Sequence, residues 1–534
     1  WFLATFVRSS VKNKAYYRIK FYTSNLCYIF RCCLLKFIII ILFIITFSCQ
    51  NGLLFSTLPE ANPRPFESIP GLSTLPIIGP LHHFLPVIGT IGPKANMVEL
   101  AKILYERYGS VVKLEGIFAR ANMVILFEPE DYDRVYRSED VLPSRPGFDT
   151  IVYYRTKLRK SVFEGAQGLT SAQGAEWRDF RTKVNPAMLK PKLIKLYEPA
   201  LDEIAQEMVS RYEETLSEDD SYLQNNFELE MTKLSLESVA LICLGTRLGC
   251  LKDNLNSDHP GLQLMTCAKD TIELAFKIEM MPSVWKYVPT PNFNKIVKTL
   301  DLQWELSSKY IEDTKRKIKD RGYDIPEEDK SILEKLLAID EKVAVMMATE
   351  MLFAGIDTVS LCLLYNLAVN PTVQDKLREE IMSTENNQRY LKACLKESLR
   401  MYPVIQAHLR RTTKEHVVSN YLIPKGVDVI APNEFLSLSE KHYPRATEFI
   451  PERWLVDKSD PLYYGNTHPM VTLPFGFGIR MCIGRRIAEL EIETFVKRLV
   501  MEAKLSWDGP PIKTVTRIMN TFVKPYHFKL ESIK

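Results

Sequence analysis

The chain has 534 residues, 46% of them hydrophobic and 25% charged, which is globular in character and enough to bury a large core. Formal net charge is +4, but residues 1–59 hold seven Lys/Arg and no Asp/Glu; this leaves −3 for the remainder and argues against nucleic-acid binding. Ten cysteines with no C-x-x-C pair, and no H-E-x-x-H, leave a disulfide framework and a zinc enzyme without support and fit a reducing compartment.

In chain order, residues 1–59 read as an extension apart from the folded body: translated non-coding sequence, an anchor or a transit segment. No methionine precedes Met97, and the run Phe37–Phe47, apolar except for Thr46, is short against the ~20 residues of a membrane span. The basic, acid-free character resembles a transit peptide. Residues 60–95 form a proline-rich lead with Pro63, Pro65, Pro70, Pro76 and Pro80, and residues 96–534 make the main domain.

Met97, Leu100, Ile103 and Leu104 have helical spacing and predict a helix over Met97–Tyr108. Val111–Leu114 and Met123–Phe127 read as a hairpin, and Pro129-Glu130-Asp131 opens another helix. Trp177 and Arg181, four apart, share a helix face; by themselves they are a packing or cation–π pair. From Phe180 to Asp340 the chain is mostly long amphipathic helix and carries no motif. Glu341–Leu367 reads as one apolar helix interrupted by Ala354-Gly355-Ile356-Asp357-Thr358, where Gly355 costs about 1 kcal/mol against Ala and Thr358 competes for backbone carbonyls. Such a defect is a kink packed against a neighbour or a functional site. Glu397 and Arg400 form an i,i+3 pair of a common kind, and Lys392 and Lys396 share one face of the same helix. Tyr421–Ile423 and Val427–Ile430 read as a strand pair around Pro424-Lys425-Gly426, joining the hairpin in one minor β-sheet.

The sharpest signal is Pro474-Phe475-Gly476-Phe477-Gly478-Ile479-Arg480-Met481-Cys482-Ile483-Gly484, followed by Arg485-Arg486. Gly476 and Gly478 permit a sharp turn with inward N–H groups, and Gly484 leaves room for a flat ligand beside the main chain. A thiolate just ahead of a helix feels the positive helix terminus, which lowers its pKa. Cys482 therefore reads as an iron ligand, with Arg480 as a fork for a carboxylate. The alternatives are a structural buried cysteine and a dinucleotide loop, the latter weakened by Met481 where a third glycine should stand.

Phe475-x-x-Gly478-x-Arg480-x-Cys482-x-Gly484 resembles the haem-binding signature of the cytochrome P450 family, a specific match that displaces both alternatives, and further motifs of that family follow in order over about residues 60–534. The resemblance implies a mainly α fold with a small β-region, a triangular helical prism around a buried haem b. The iron takes the Cys482 thiolate, and residues 96–534 form the haem-thiolate catalytic domain. It implies that Trp177 and Arg181 donate to a haem propionate, that Arg410 rather than His408 reaches another, and that Phe475, Gly478, Arg480 and Gly484 line the cofactor. Ala354 and Gly355 border the oxygen site, and Asp357 and Thr358 deliver protons. Glu397 and Arg400, with Arg453 of Pro451-Glu452-Arg453-Trp454, form a buried structural network.

Lys392 and Lys396, together with Arg485-Arg486, resemble the mitochondrial-type branch of arthropods, in which such lysines receive an acidic ferredoxin. The implied function is a monooxygenase that hydroxylates a small apolar molecule of the sterol, ecdysteroid or xenobiotic class with O2 and ferredoxin electrons. It works in peripheral contact with the mitochondrial inner membrane on the matrix side, the endoplasmic reticulum membrane being the alternative. One rival is an isomerase or dehydratase needing no electron donor, which Asp357-Thr358 disfavours. Another is an inactive haem-binding relative, which fits the short stretches between Asp357 and Asn370 and between Glu380 and Tyr390.

Overall fold

The computed structural model describes residues 62–534 apart from 88, 93–95, 117–119, 139–141, 219–221, 253–254, 282, 323–324, 356–359, 384–387, 517 and 534. Helix α1 (Met97–Tyr108) has the predicted bounds, and its ends show why. Asn96 Oδ1 accepts from Glu99 N at 2.8 Å while Glu99 Oε2 accepts from Asn96 N at 3.1 Å, a capping box. Gly109, at φ 86°, stops the helix.

Strands β1 (Val111–Leu114) and β2 (Met123–Leu126) form the expected antiparallel hairpin, and α2 (Pro129–Arg137) begins on its proline. After the short α3 (Asp149–Tyr153) come α4 (Gly174–Met188), α5 (Glu198–Glu218), α6 (Tyr222–Leu244), α7 (Pro260–Ala275) and α8 (Pro291–Arg321). Helix α9 (Glu341–Ala354) runs through the core. Its residues from Val343 to Leu352 are buried on every side except Val345, so periodicity could not have given its orientation. Helices α10 (Ser360–Val369), α11 (Pro371–Met382), α12 (Arg389–Met401) and α13 (Arg485–Glu502) complete the body, with Leu363, Leu367, Leu391, Cys394, Phe495 and Leu499 at its centre.

The helix expected over Glu341–Leu367 is described on either side of residues 356–359 as α9 and α10; Ile356–Val359, with the predicted catalytic pair Asp357 and Thr358, lie outside the described residues. Gly355 closes α9, its N–H bonded to Met351 O at 3.0 Å. A Cβ there would come within 2.4 Å of Val239 Cγ2, so α6 crosses α9 where only glycine leaves room. The packed-neighbour explanation of this glycine holds.

One expectation changes, and it concerns the sheet. Tyr421–Ile423 (β5) pairs with His416–Val418 (β4), not with the strand that follows it. Ser419 and Asn420, at φ 45° and 65°, make the two-residue left-handed turn that such hairpins favour, and this outweighs the Pro424-Lys425-Gly426 signal. Strand β6 (Asp428–Ala431) instead lies parallel to β2 and antiparallel to β3 (His408–Arg411), giving a four-stranded sheet in the order β1-β2-β6-β3.

Behind the helices, Glu397 on α12 has no exposed side-chain surface and accepts five hydrogen bonds. They come from Arg400 Nε and Nη2, Arg453 Nε, Trp454 Nε1 and Ile450 N, at 2.8–3.2 Å. Arg400 Nη1 in turn donates to Ser437 O and Ala446 O, both at 2.7 Å. The expected triad is thus assembled, and it straps residues 437–454 to α12. Replacing Arg453 by Met leaves the Glu397 carboxylate buried and under-paired, and should lower unfolding free energy by roughly 3–5 kcal/mol in a denaturant titration.

Candidate active site

The cysteine loop is shaped by two glycines at left-handed φ, Gly476 at 76° and Gly478 at 67°. Phe475 O accepts from Cys482 N at 2.8 Å, and Leu473 O accepts from Gly476 N at 3.0 Å and from His408 Nε2 at 2.6 Å. Cys482 comes two residues before Gly484, the N-cap of α13. Five other described cysteines, Cys243, Cys250, Cys267, Cys362 and Cys394, are buried, and burial pushes their thiols up. Cys482 is accessible. At Gly484 a Cβ would meet nothing nearer than Cys482 Sγ at 4.0 Å, so protein packing does not demand the glycine; it keeps the space beside the sulfur open.

The helix-terminus N–H groups act on Cys482 in the expected direction, but a second influence opposes them. Desolvation by the surrounding protein raises the thiol pKa, outweighing the N–H groups of Gly484 and Arg485 and the guanidinium groups of Arg181 and Arg145, all of which favour the thiolate. A helix terminus supplies only about half a charge, which does not replace lost water here. A cation bound at the sulfur would hold the thiolate.

The arginines gather on the same side. Arg480 Nη2 donates to Ala172 O at 2.7 Å and Gln173 Oε1 at 3.0 Å, and its guanidinium lies 4.3 Å over the Trp177 ring. Trp177 and Arg181 are both buried on α4, whose inward residues Trp177, Phe180, Arg181, Val184 and Met188 follow helical spacing. Arg181 loses affinity for its proton through burial, and its Nε has no partner among the described residues. Arg410 on β3 lies 5.4 Å over Tyr136, with Nη2 3.4 Å from Phe477 O. His408 is held neutral, its pKa pushed down to about 4 by burial and by the Arg410 and Arg145 cations, and its ring is engaged with Leu473 O.

The sequence reading missed Arg145. Burial and the neighbouring Arg410 and Arg181 push its pKa down to about 10. Its backbone N donates to Gln173 Oε1 and its Nη2 to Thr170 O, both at 3.0 Å. Nothing in Ser144-Arg145-Pro146 marks it, because its role comes from a loop folding against residues more than twenty positions away.

Several desolvated arginines beside one accessible thiol fit a planar cofactor bearing carboxylates and a sulfur-ligated metal. The carboxylates would meet Arg145, Arg181, Arg410 and Arg480, and the metal Cys482. Ala354, exposed at the end of a helix whose residues 346–352 are all buried, adds an open position, with Gly355 next to it. The other predicted residues lie elsewhere. Glu397, Arg400 and Arg453 form the separate network described above. Lys392 and Lys396 are exposed on α12, Lys396 5.6 Å over the Trp454 ring, and Arg485 and Arg486 pair with Glu489.

Comparison with known proteins agrees with this chemistry. The cytochrome P450 family model matches residues 70–530. Cytochrome P450 CYP12A2 of Musca domestica is 35% identical over 491 residues, 86% of this chain and 90% of that protein. Two Drosophila melanogaster proteins named "Probable cytochrome P450 12b2, mitochondrial" and "Probable cytochrome P450 12a5, mitochondrial" are each 36% identical, covering 88% and 82% of this chain and 90% and 85% of their own lengths.

The Arg480 arrangement makes a specific demand on shape. Lysine at 480 keeps the charge but lacks the planar fork that stacks on Trp177 while reaching Ala172 O and Gln173 Oε1. Arg480→Lys should cost about 1–3 kcal/mol of stability in thermal or denaturant unfolding, whereas Arg486→Lys, on an exposed position, should change it by less than about 0.5 kcal/mol.

Proposed function

The chain belongs to the cytochrome P450 family and is a haem b monooxygenase, and from that premise we propose that it is a mitochondrial hydroxylase of small apolar molecules, of the sterol, ecdysteroid or xenobiotic class, fed by a ferredoxin. The observation that carries the site assignment is the accessible Cys482 thiol facing desolvated arginines. Bound haem b supplies dioxygen activation, so that one oxygen atom enters a C–H bond of the substrate and the other leaves as water.

The chain's residues then divide the work. Cys482 would ligate the haem iron through its sulfur, which faces the N–H groups of Gly484 and Arg485. Arg181, Arg410 and Arg480, with Trp177 and the newly found Arg145, would hold the propionates. Phe475, Gly478 and Gly484 shape the cysteine loop that would border the haem. Ala354 and Gly355, at the end of α9, would border the oxygen site, and Asp357 and Thr358 would hold and pass protons there at the Thr358 hydroxyl. Glu397, Arg400 and Arg453 hold the frame.

Exposed Lys392 and Lys396 support an acidic iron–sulfur donor docking on α12, because residues 60–534 carry net −3 and a local basic face can steer such a partner. The mitochondrial names of the relatives support the compartment. No described helix is long and apolar enough to cross a membrane. Peripheral contact is supported by exposed Leu75, Ile77 and Leu85 and by exposed Met281, Val284 and Tyr287. Both stretches flank the loop of the β1–β2 hairpin: a Cβ on Gly116 would lie 3.5 Å from Gly79 Cα, and Arg120 Nη2 donates to Met281 O at 3.4 Å.

Cys482→Ser should lose the red-shifted carbon-monoxide band of the reduced protein; a variant that keeps the band refutes the ligand assignment. Lys392→Gln combined with Lys396→Gln should slow reduction by a ferredoxin about tenfold at low salt and leave that band intact. The difference should shrink as the Debye length falls to about 8 Å at physiological ionic strength. Unchanged ferredoxin rates, together with efficient turnover by a microsomal diflavin reductase, would sink the mitochondrial reading.

A further inference from the structure

Glu350 stands on α9 one turn before Ala354 and is 5% exposed. A carboxylate on a helix buried nearly all round needs partners, and they come from one short segment and the turn that backs it. Arg155, also buried, donates from Nη1 to Glu350 Oε1 at 2.6 Å and to Gln167 O at 2.6 Å. Thr170 gives its N–H at 3.1 Å and its hydroxyl at 3.0 Å to Glu350 Oε2. Gly168 passes so close, at φ 84°, that a Cβ would lie 2.0 Å from Glu350 Oε1.

The far end of the same segment grips the cofactor-side arginines. Thr170 O accepts from Arg145 Nη2, Ala172 O from Arg480 Nη2, and Gln173 Oε1 from both Arg145 N and Arg480 Nη2. Within the segment, Ala172 N donates to Gly168 O at 3.0 Å and Ser171 Oγ to Gln167 O at 2.7 Å, so its two ends move together. Gln173 is also the N-cap residue of α4, which carries Trp177 and Arg181.

We propose that Glu350 is a positioning residue for the haem: with Arg155 it fixes residues 167–173, and through them holds Arg145 and Arg480 preorganised for the propionates. The proposal rests on the assignment of those two arginines to the haem carboxylates. Preorganisation matters because a guanidinium already held by one or two oxygens of the segment, as in Arg145 and Arg480, has less to be ordered when its anion binds. Glu350 itself never touches the cofactor; it acts through the loop, as outer partners of a ligand set do.

The test measures haem transfer from the ferric holoprotein to excess apomyoglobin, alongside the haem midpoint potential and the thermal midpoint, in Glu350→Gln, Thr170→Val, Arg145→Gln and Arg480→Gln. Asp301→Asn is the control. Asp301 accepts from Tyr154 and Arg159 on the same turn as Arg155 but makes no bond to residues 167–173. Glu350→Gln should release haem about tenfold faster, in the range typical of lost outer-shell partners, and shift the potential in the same direction as the arginine variants. Thr170→Val, which removes no charge, should release it two- to threefold faster, keeping the idea testable if Glu350→Gln fails to fold. Asp301→Asn should lower the thermal midpoint without altering release. If the arginine variants accelerate release and neither Glu350→Gln nor Thr170→Val does, or if Asp301→Asn accelerates it equally, the positioning role is overturned and the arginine assignment stands. If neither arginine variant accelerates it, that assignment falls and the proposal with it.

Discussion

A carboxylate with no exposed surface survives only where donors surround it, and Glu397 draws its donors from its own helix and from a loop more than fifty residues further on. That requirement fixes the route of residues 437–454 across α12. Beyond the loop, the chain is caught again: Met470 O accepts from Tyr132 Oη at 2.7 Å and from Asn433 Nδ2 at 2.8 Å, and Leu473 O from His408. The cysteine loop thus starts from a root held by a helix, the four-stranded sheet and the buried network. Its glycines need only turn the chain locally.

Glu350 repeats the device, with a smaller loop and a different dependent. In both places a saturated buried acid holds a segment whose other end faces the chemistry. Around Cys482 the sign reverses: Arg145 and Arg181 are desolvated cations, and the sulfur is an acid whose pKa burial raises. A site with surplus guanidinium charge and an accessible thiol is matched electrostatically to a dianionic cofactor carrying a metal cation.

The strongest features were legible because they are local. The helical spacing of Met97, Leu100, Ile103 and Leu104, the Pro129 helix start and the glycine-flanked cysteine each carry their physical cause within a few residues. The strand pairing around residue 421 was read wrongly because two turn signals competed, and the left-handed Ser419-Asn420 pair prevailed over Pro424-Lys425-Gly426. Arg145, Gln173 and Glu350 gave no signal, since each acquires its role from a partner between 25 and more than 300 positions away.

The sequence by itself determined the metal-ligand candidate, the E-x-x-R and PERW halves of the frame, the exposed lysine pair and the helical character of the body, because residue type, spacing and period are properties of neighbouring positions. Only the tertiary structure decided which strands pair, which arginines converge on the sulfur, that Gly355 is required by Val239, and that burial overrides the helix terminus at Cys482. Those outcomes depend on desolvation and on contacts between distant segments, and both come into being only when the chain closes on itself.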